Sequence, residues 1–224
     1  MNRPNFLMYK WLVSNSFAGL LLYVAWLQDW IGLVVQSDAS YLSIVMSAIF
    51  VVFWMVSSYH VLQLNREVGR FVAKDSTGAA AEYFEKLKRK AAKLDHHHPL
   101  DQSMLAAALR ARLFLPIQVL SYVSNMLILL GLIGTVVGFV IAVGGLGDSI
   151  AGGGNLQRIQ SVLGQIVNGM GVALFTTLVG SILGGLWLQL HYQMLTRAAS
   201  ALVIGIVEYA DVELIPELSN ADHS

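Results

Sequence analysis

The stretch LFLPIQVLSYVSNMLILLGLIGTVVGFVIAVGGLG, residues 113–147, runs for 35 residues without Asp, Glu, Lys or Arg, and Ile159 to Thr196 does so for another 38. About 20 apolar helical residues cross a bilayer core roughly 30 Å thick, so each run is long enough to span a membrane and continue beyond it. Both read as membrane helices. Toward the N-terminus, Trp11 to Gln28 is uncharged and continues after Asp29 as Trp30-Ile-Gly-Leu-Val-Val35, and Ala39 to Asn65 is a further uncharged stretch. The expected architecture is an all-α integral membrane protein of four transmembrane helices in two hairpins, with spans at about 11–35, 40–64, 116–146 and 160–190. The segment from Asp29 to Ser40 has room only for a tight extramembrane turn.

Composition agrees with that reading. An apolar fraction of 56%, a charged fraction of 12% and a positive mean hydropathy belong to a membrane protein rather than a soluble domain. The absence of cysteine excludes disulfides, zinc thiolate sites and Cys nucleophiles. A net charge of zero implies no nucleic-acid partner. Arg3 and Lys10 ahead of an apolar run also suit a cleaved signal peptide, but the run is longer than a signal core and has no small-x-small cleavage site before Asp29.

Charge placement gives an orientation. Of 14 Lys and Arg, Arg3 and Lys10 precede the first span, ten lie between Arg66 and Arg112, and Arg197 follows the fourth, leaving Arg158 on the other side with Asp29, Asp38 and Asp148. The bias of basic residues toward cytoplasmic loops then puts both termini in the cytoplasm. The chain divides into an N-terminal hairpin (1–65), a cytoplasmic helical insert (66–115), a second hairpin (116–190) and a cytoplasmic C-terminal helix and tail (191–224). In the insert, Ala79 to Leu94 reads as a helix supported by a Glu82–Lys86 pair at four-residue spacing. It breaks at Asp95-His-His-His-Pro99, and the next helix starts near Asp101, with Pro116 placed to bend it at the membrane entrance. After the fourth span, Leu195, Ala199, Leu202, Ile206 and Tyr209 form an apolar seam that Pro216 ends, so spans three and four extend into the cytoplasm.

The two hairpin-forming runs each carry one thin face. Gly131, Thr135, Gly138, Ala142 and Gly145 recur at steps of four and three, as do Gly169, Ala173, Thr176 or Thr177, Gly180 and Gly184. Small residues at this spacing let membrane helices approach closely, which explains the pattern without any conduction. Depth favours a further role. Thr135 lies ten residues inward from Gly145 and Thr177 twelve inward from Gln165, so at about 1.5 Å per residue both hydroxyls sit level, roughly 15 to 18 Å below the outer helix ends. No carboxylate shares that depth, although ion relays in membranes ordinarily use one. If this chain moves ions, the titrating group comes from a partner. His60 and His191 near the inner boundary read as marking helix exits.

Gly131-Leu-Ile-Gly-Thr-Val-Val-Gly138 and Ala173-Leu-Phe-Thr-Thr-Leu-Val-Gly180 together resemble paired motifs of the MotA/TolQ/ExbB proton-channel family, over about Pro116 to Arg197, with Thr177 in the place of the pore threonine. The resemblance implies a homopentamer around two copies of a single-span partner of MotB/ExbD/TolR type, whose membrane Asp takes up and releases the ion. It implies further that ion passage turns one ring against the other, driving a cell-envelope or flagellar machine in the bacterial cytoplasmic (inner) membrane. Thr135, Thr177 and Thr176 become ion-path residues. Gly131, Gly138, Ala142, Gly169, Ala173, Gly180 and Gly184 become the pore-facing or packing stripe. The four-span layout is similar to the flagellar branch, whereas Gly134-Thr-Val-Val-Gly138 is closer to the TolQ and ExbB wording.

Other features carry blander readings. His96-His-His98 is a solvated turn, because three adjacent histidines cannot all point at one ion and no acid cluster completes a metal site. The glycine run of Gly144 to Asn155 lacks the lysine of a phosphate loop and reads as a flexible turn. Lys86, Lys88, Arg89, Lys90 and Lys93 suit contact with anionic membrane lipid, and Trp11, Trp26, Trp30, Tyr41 and Trp187 read as interface anchors. No nucleophile, base and acid fall together, so an enzyme is not expected, and no cofactor is called for. A non-conducting scaffold is the alternative. A secondary transporter fits less well, since the two hairpins differ in length and glycine content.

Overall fold

Long apolar runs without internal partners for their backbone amides must close their hydrogen bonds within helices. The computed structural model describes residues 6–38, 40–93, 101–150 and 156–217, the side chains of 145–150, 156 and 158 excepted, and these residues contain helices and short connections with no strand. The helices are α1 (Phe6–Leu27), α2 (Trp30–Ser37), α3 (Leu42–Val72), α4 (Ala79–Ala91), α5 (Ser103–Ile150), α6 (Leu156–Gly180) and α7 (Gln189–Tyr209). Two π-helical segments, Ser181–Leu188 and Ala210–Leu214, continue α6 into α7 and extend α7. Three helices are long and apolar enough to cross a membrane, at Leu42–Val72, Ser103–Gly144 and Ile159–Glu217, and α1 with α2 makes a fourth if the bent pair counts as one span.

The bend is 72° and falls at Gln28 and Asp29, where Asp29 adopts a left-handed conformation with φ 55°. Aspartate is among the few non-glycine residues that visit this region at modest cost. The connection between the first two apolar stretches therefore contains a helix, α2, and not only a tight turn. Asp38 then starts α3. Its carboxylate accepts from the Ser43 N–H at 2.6 Å, the Ser40 N–H at 3.1 Å and the Ser40 hydroxyl at 2.5 Å. Burial alone would push this carboxyl up, but the bonds from Ser40 and Ser43 outweigh it and hold the group below its ordinary range.

The chain forms two compact units. One comprises Ser14–Val56 and Leu120–His191. Its buried residues include Ala18, Met46, Leu120, Leu127, Val172 and Leu188, while the outward faces of the same helices stay apolar, as at Leu132, Val136, Phe139, Leu163 and Leu174. A helix that is apolar all round is suited to lipid.

The other unit comprises Met1–Val13, Ser57–Val119 and Tyr192–Ser224. Here α4 is strongly amphipathic and buries Ala79, Ala80, Tyr83 and Leu87. Glu82 binds Lys86 at 2.8 Å, as the four-residue spacing predicts, and also pairs with Arg112 of α5. Lys86 first and Arg112 second hold its carboxyl down from 4.5 to about 2. Tyr83 donates to Gln102 Oε1 at 2.8 Å, and Gln102 Nε2 donates to Asp211 at 3.0 Å, which ties α4, the start of α5 and the second π segment together. Burial, with the Asp211 charge beside it, pushes the Tyr83 phenol up.

Asp101 accepts from the Ser103 N–H at 2.8 Å and the Ser103 hydroxyl at 2.9 Å, which caps α5. That helix then runs unbroken through Pro116 at the cost of one backbone hydrogen bond. The seam on α7 is buried at Leu195, Ala199, Leu202 and Ile206, while Tyr209 is half-exposed and packs against Phe71 and Phe84. Helical backbone continues to Glu217, past Pro216. Residues 94–100, with the histidine turn, and 151–155 lie outside the described residues. The glycines ahead of that second gap do not end α5, which continues to Ile150, because glycine weakens a helix by about 1 kcal/mol yet keeps its N–H in the ladder.

Candidate functional site

The thin faces of α5 and α6 meet within one chain. A Cβ added at Gly138 would collide with the Gly169 carbonyl and lie 2.5 Å from Ala173 N, and one added at Gly169 would collide with the Gly138 carbonyl and lie 2.5 Å from Ala142 N. Backbone touches backbone at this crossing, so no side chain fits. The same contact continues along both helices in antiparallel register. Gly134 faces the Thr176 side chain, Gly131 faces Thr176, Thr177 and Gly180, and Gly180 faces the Leu127 carbonyl at 2.7 Å. Gly184 closes the row between Leu127 Cβ and Ser124 O, each 2.7 Å from a built Cβ. The glycine stripe is therefore a helix–helix packing surface inside the protomer, the use of small residues that close-packed membrane helices share.

The three threonines part company on this frame. Thr176 is fully buried in the contact, and its hydroxyl donates to its own helix at the Val172 carbonyl, 2.7 Å away. Thr177, one residue on and 100° round the helix, is half-exposed and donates to the Gly131 carbonyl of α5 at 3.1 Å. Thr135 is half-exposed too, with its hydroxyl on the Leu132 carbonyl at 2.5 Å. Of the pair that the spacing left open on α6, Thr176 belongs to the packing row and Thr177 to the edge.

Thr135 opens on a shallow cleft of about 430 Å³ that runs along the α5–α6 contact, lined also by Val136, Phe139, Ala142, Met170 and Ala173. Ala142 is buried at its floor and Ala173 is half-buried. Met170, Ala173 and Thr177 follow at steps of three and four, so Thr177 continues the row of α6 residues that forms one wall. The two threonines thus stand at one edge of the helix pair, and the register puts them level to within about one helical turn, since Gly134 beside Thr135 meets Thr176 beside Thr177. The cleft has apolar walls and the Thr135 hydroxyl, with Thr177 one turn along α6 from Ala173. Among the described residues it has no acid.

Beyond the stripe, Ser124 donates to the Gly184 carbonyl at 2.8 Å, inside the π-helical segment Ser181–Leu188. A π turn inserts a residue into the helix and re-aims the faces on either side of it, and such turns concentrate at functional sites. Four glycines or serines between Gly180 and Gly185 lower the cost of that departure from α geometry. His191, read from sequence as marking a helix exit, is 1% exposed, and its ring bonds Asn15 of α1, which in turn bonds Trp54 of α3. Trp187, read from sequence as an interface anchor, is half-buried with its ring edge-on to Phe50. An Asn near the start of an apolar first span was the legible signal for a polar contact there.

Comparison with known proteins bears on the same helices. The family model described as the MotA/TolQ/ExbB proton channel family matches residues 79–206, more than half of the chain. No curated protein and no solved structure matches it.

Proposed function

From the premise that this chain belongs to the MotA/TolQ/ExbB proton channel family, we propose that it is the ring-forming subunit of an ion-driven membrane motor or energiser. In this reading copies of the chain, five by family analogy, surround the membrane helices of a single-span partner. That partner supplies the mid-membrane Asp that this chain lacks at the depth of Thr135 and Thr177. Residues 116–190 form the pore hairpin, 1–65 the outer hairpin, and 66–115 with 191–224 extend into the cytoplasm, where the basic residues between Arg66 and Arg112 agree with the positive-inside bias.

The observation that carries the reading is the edge formed by Thr135 and Thr177. The Thr135 hydroxyl lines an apolar cleft and Thr177 stands within about one helical turn of its level, while the glycines behind them bring the α5 and α6 backbones into contact. A hydroxyl bonded to a main-chain carbonyl still offers its lone pairs, so Thr177 can accept a bond from a protonated acid or from water on the partner's side. A carboxylate moving past this edge meets oxygen ligands at one depth and apolar walls elsewhere, which suits stepwise passage of a small cation.

The experiment is ion flux in vesicles holding this chain and its single-span partner. Thr177→Val is expected to lower flux at least tenfold, and Thr135→Val to lower it severalfold, with assembly unchanged. Thr176→Val, altering a hydroxyl turned into the packing contact, is expected to leave flux within about twofold. Equal flux in Thr177→Val and in the unaltered chain overturns the ion path. It would favour the second reading, a non-conducting scaffold, for which the use of the glycines within one protomer is the specific support.

A further inference from the structure

Three helices meet at one chain of hydrogen bonds whose donors and acceptors can be assigned without ambiguity. The Trp54 indole can only donate, so the Asn15 atom 2.8 Å from its Nε1 is the amide oxygen, and the NH₂ of Asn15 points the other way. That NH₂ lies 3.2 Å from His191 Nε2. An amide NH₂ can only donate, so Nε2 carries a lone pair. The opposite ring nitrogen, Nδ1, lies 3.1 Å from the Trp187 carbonyl, which can only accept, so Nδ1 carries the hydrogen. The run Trp54 to Asn15 to His191 to Trp187 is complete only for a neutral imidazole in this one tautomer.

A proton added at Nε2 breaks the chain whichever way the amide turns. With Asn15 as it stands, the new N–H faces an NH₂. With the amide reversed, its oxygen meets Nε2 but its NH₂ faces the Trp54 indole N–H. One bond is lost in either case, and a cation is created on a residue only 1% exposed. The Trp187 carbonyl on Nδ1 still accepts from the charged ring, but among the described residues of these helices no carboxylate faces it. Over a turn on each side of the contact, α1 (11–19), α3 (50–58) and the fourth-span helix (184–195) contain no Asp, Glu, Lys or Arg, and their titratable side chain besides His191 is Tyr192. On α5, which meets this level through Ser124 and Gln189, residues 117–127 contribute only Tyr122, which is 65% exposed.

We propose that His191 is a proton-binding site in the helix bundle, separate from the threonine edge, and that occupancy releases α1 and α3 from the fourth-span helix. The ligand is a single proton, taken up at Nε2 with loss of one hydrogen bond of the run, that of Asn15 to the ring or that of Trp54 to Asn15, and with no covalent bond broken. The neutral ring latches the first hairpin to the helix that carries Thr177. The charged ring unlatches it. This assignment stands on the hydrogen-bond pattern alone and does not depend on the ion path, so its test uses no flux measurement.

The test uses the full-length chain in lipid nanodiscs. Because the sequence has no cysteine, Phe17→Cys on α1 and Leu190→Cys beside His191 give a clean pair for spin labels, diluted with unlabelled copies so that only distances within one chain are read. A single distance is expected at about pH 8 and a second, longer population at about pH 5, on either side of the ordinary histidine range. His191→Gln keeps an acceptor toward Asn15 at every pH and is expected to hold the single distance throughout, whereas Asn15→Leu is expected to show the longer population at both. Nitrogen-15 spectra of histidine-labelled protein, with His191→Gln to identify the signal, give a measurement that needs no folded Asn15 variant: the expected ring is protonated at Nδ1 and bare at Nε2 at about pH 8. An unchanged distance between the two pH values, a wild-type response in His191→Gln, or a ring carrying its hydrogen on Nε2 each overturns the proposal.

Discussion

At Gly138 and Gly169 two main chains pass so closely that the missing Cβ is the structural contribution. A methyl at either position meets a carbonyl oxygen and a backbone nitrogen of the facing helix, neither of which can rotate away. Gly138→Ala is therefore expected to destabilise the protein by about 1 to 3 kcal/mol, the usual scale for overpacking a well-filled contact. Gly164→Ala lies on α6 with nothing within 4 Å of its Cβ. It is expected to be neutral or stabilising by up to about 1 kcal/mol, since alanine is the better helix former. Thermal unfolding of the two variants in detergent measures the difference, and equal midpoints would mean that α5 and α6 do not touch there. The same scale separates Thr176 from Thr177. Adjacent and chemically identical, they differ because 100° of rotation turns one hydroxyl into the contact and leaves the other on its rim.

Among elements, α4 shows how a short amphipathic helix is held. Its apolar residues Ala80, Tyr83 and Leu87 are buried, and its polar side is tied to α5 through Glu82 and Arg112. The Glu82 carboxyl is depressed in the folded protein to about 2 from 4.5, so it favours the folded arrangement fully above about pH 4.5, and that contribution is lost as pH falls through about 2. A spin label on the outer face of α4 should become mobile only below about pH 4.5, and Glu82→Gln should bring that mobility to neutral pH. Because the pair is exposed, the expected change is modest, a fewfold faster tryptic cleavage at Lys86 and Arg89. Mobility independent of pH in the unaltered chain would remove Glu82 as the tie. The π segment Ser181–Leu188 is the other informative element. Ser124 bonds a carbonyl inside it, which gives the irregular turn a partner on α5.

On the scale of the whole molecule, the spans bury little of themselves: the most apolar windows of the three long helices are between 17 and 28% buried within one chain. Large side chains such as Phe139, Leu174, Leu129 and Ile133 stand open on α5 and α6. Lipid can cover such faces, and so can neighbouring copies. Native mass measurement after mild detergent extraction is expected to give five copies of the chain, with two copies of the partner when co-expressed. A monomer under conditions that preserve the fold would exclude the ring.

Helix content, membrane character and the family were legible in the sequence, because uncharged runs of 35 and 38 residues leave a lipid-soluble helix as the economical solution for the backbone. The α4 ion pair was legible for the same local reason, since four-residue spacing places two side chains together in any helix. What spacing could not decide was which surface each small residue serves. A stripe is a property of one helix, whereas packing depends on the rotation and register of a second, and only the tertiary arrangement shows Gly138 against Gly169 with Thr177 at the rim. The 72° bend at Asp29 and the meeting of Asn15, Trp54 and His191 were hidden likewise. Partners 39 and 176 residues apart in the chain leave no periodic trace, because their contact is set by how helices are brought side by side.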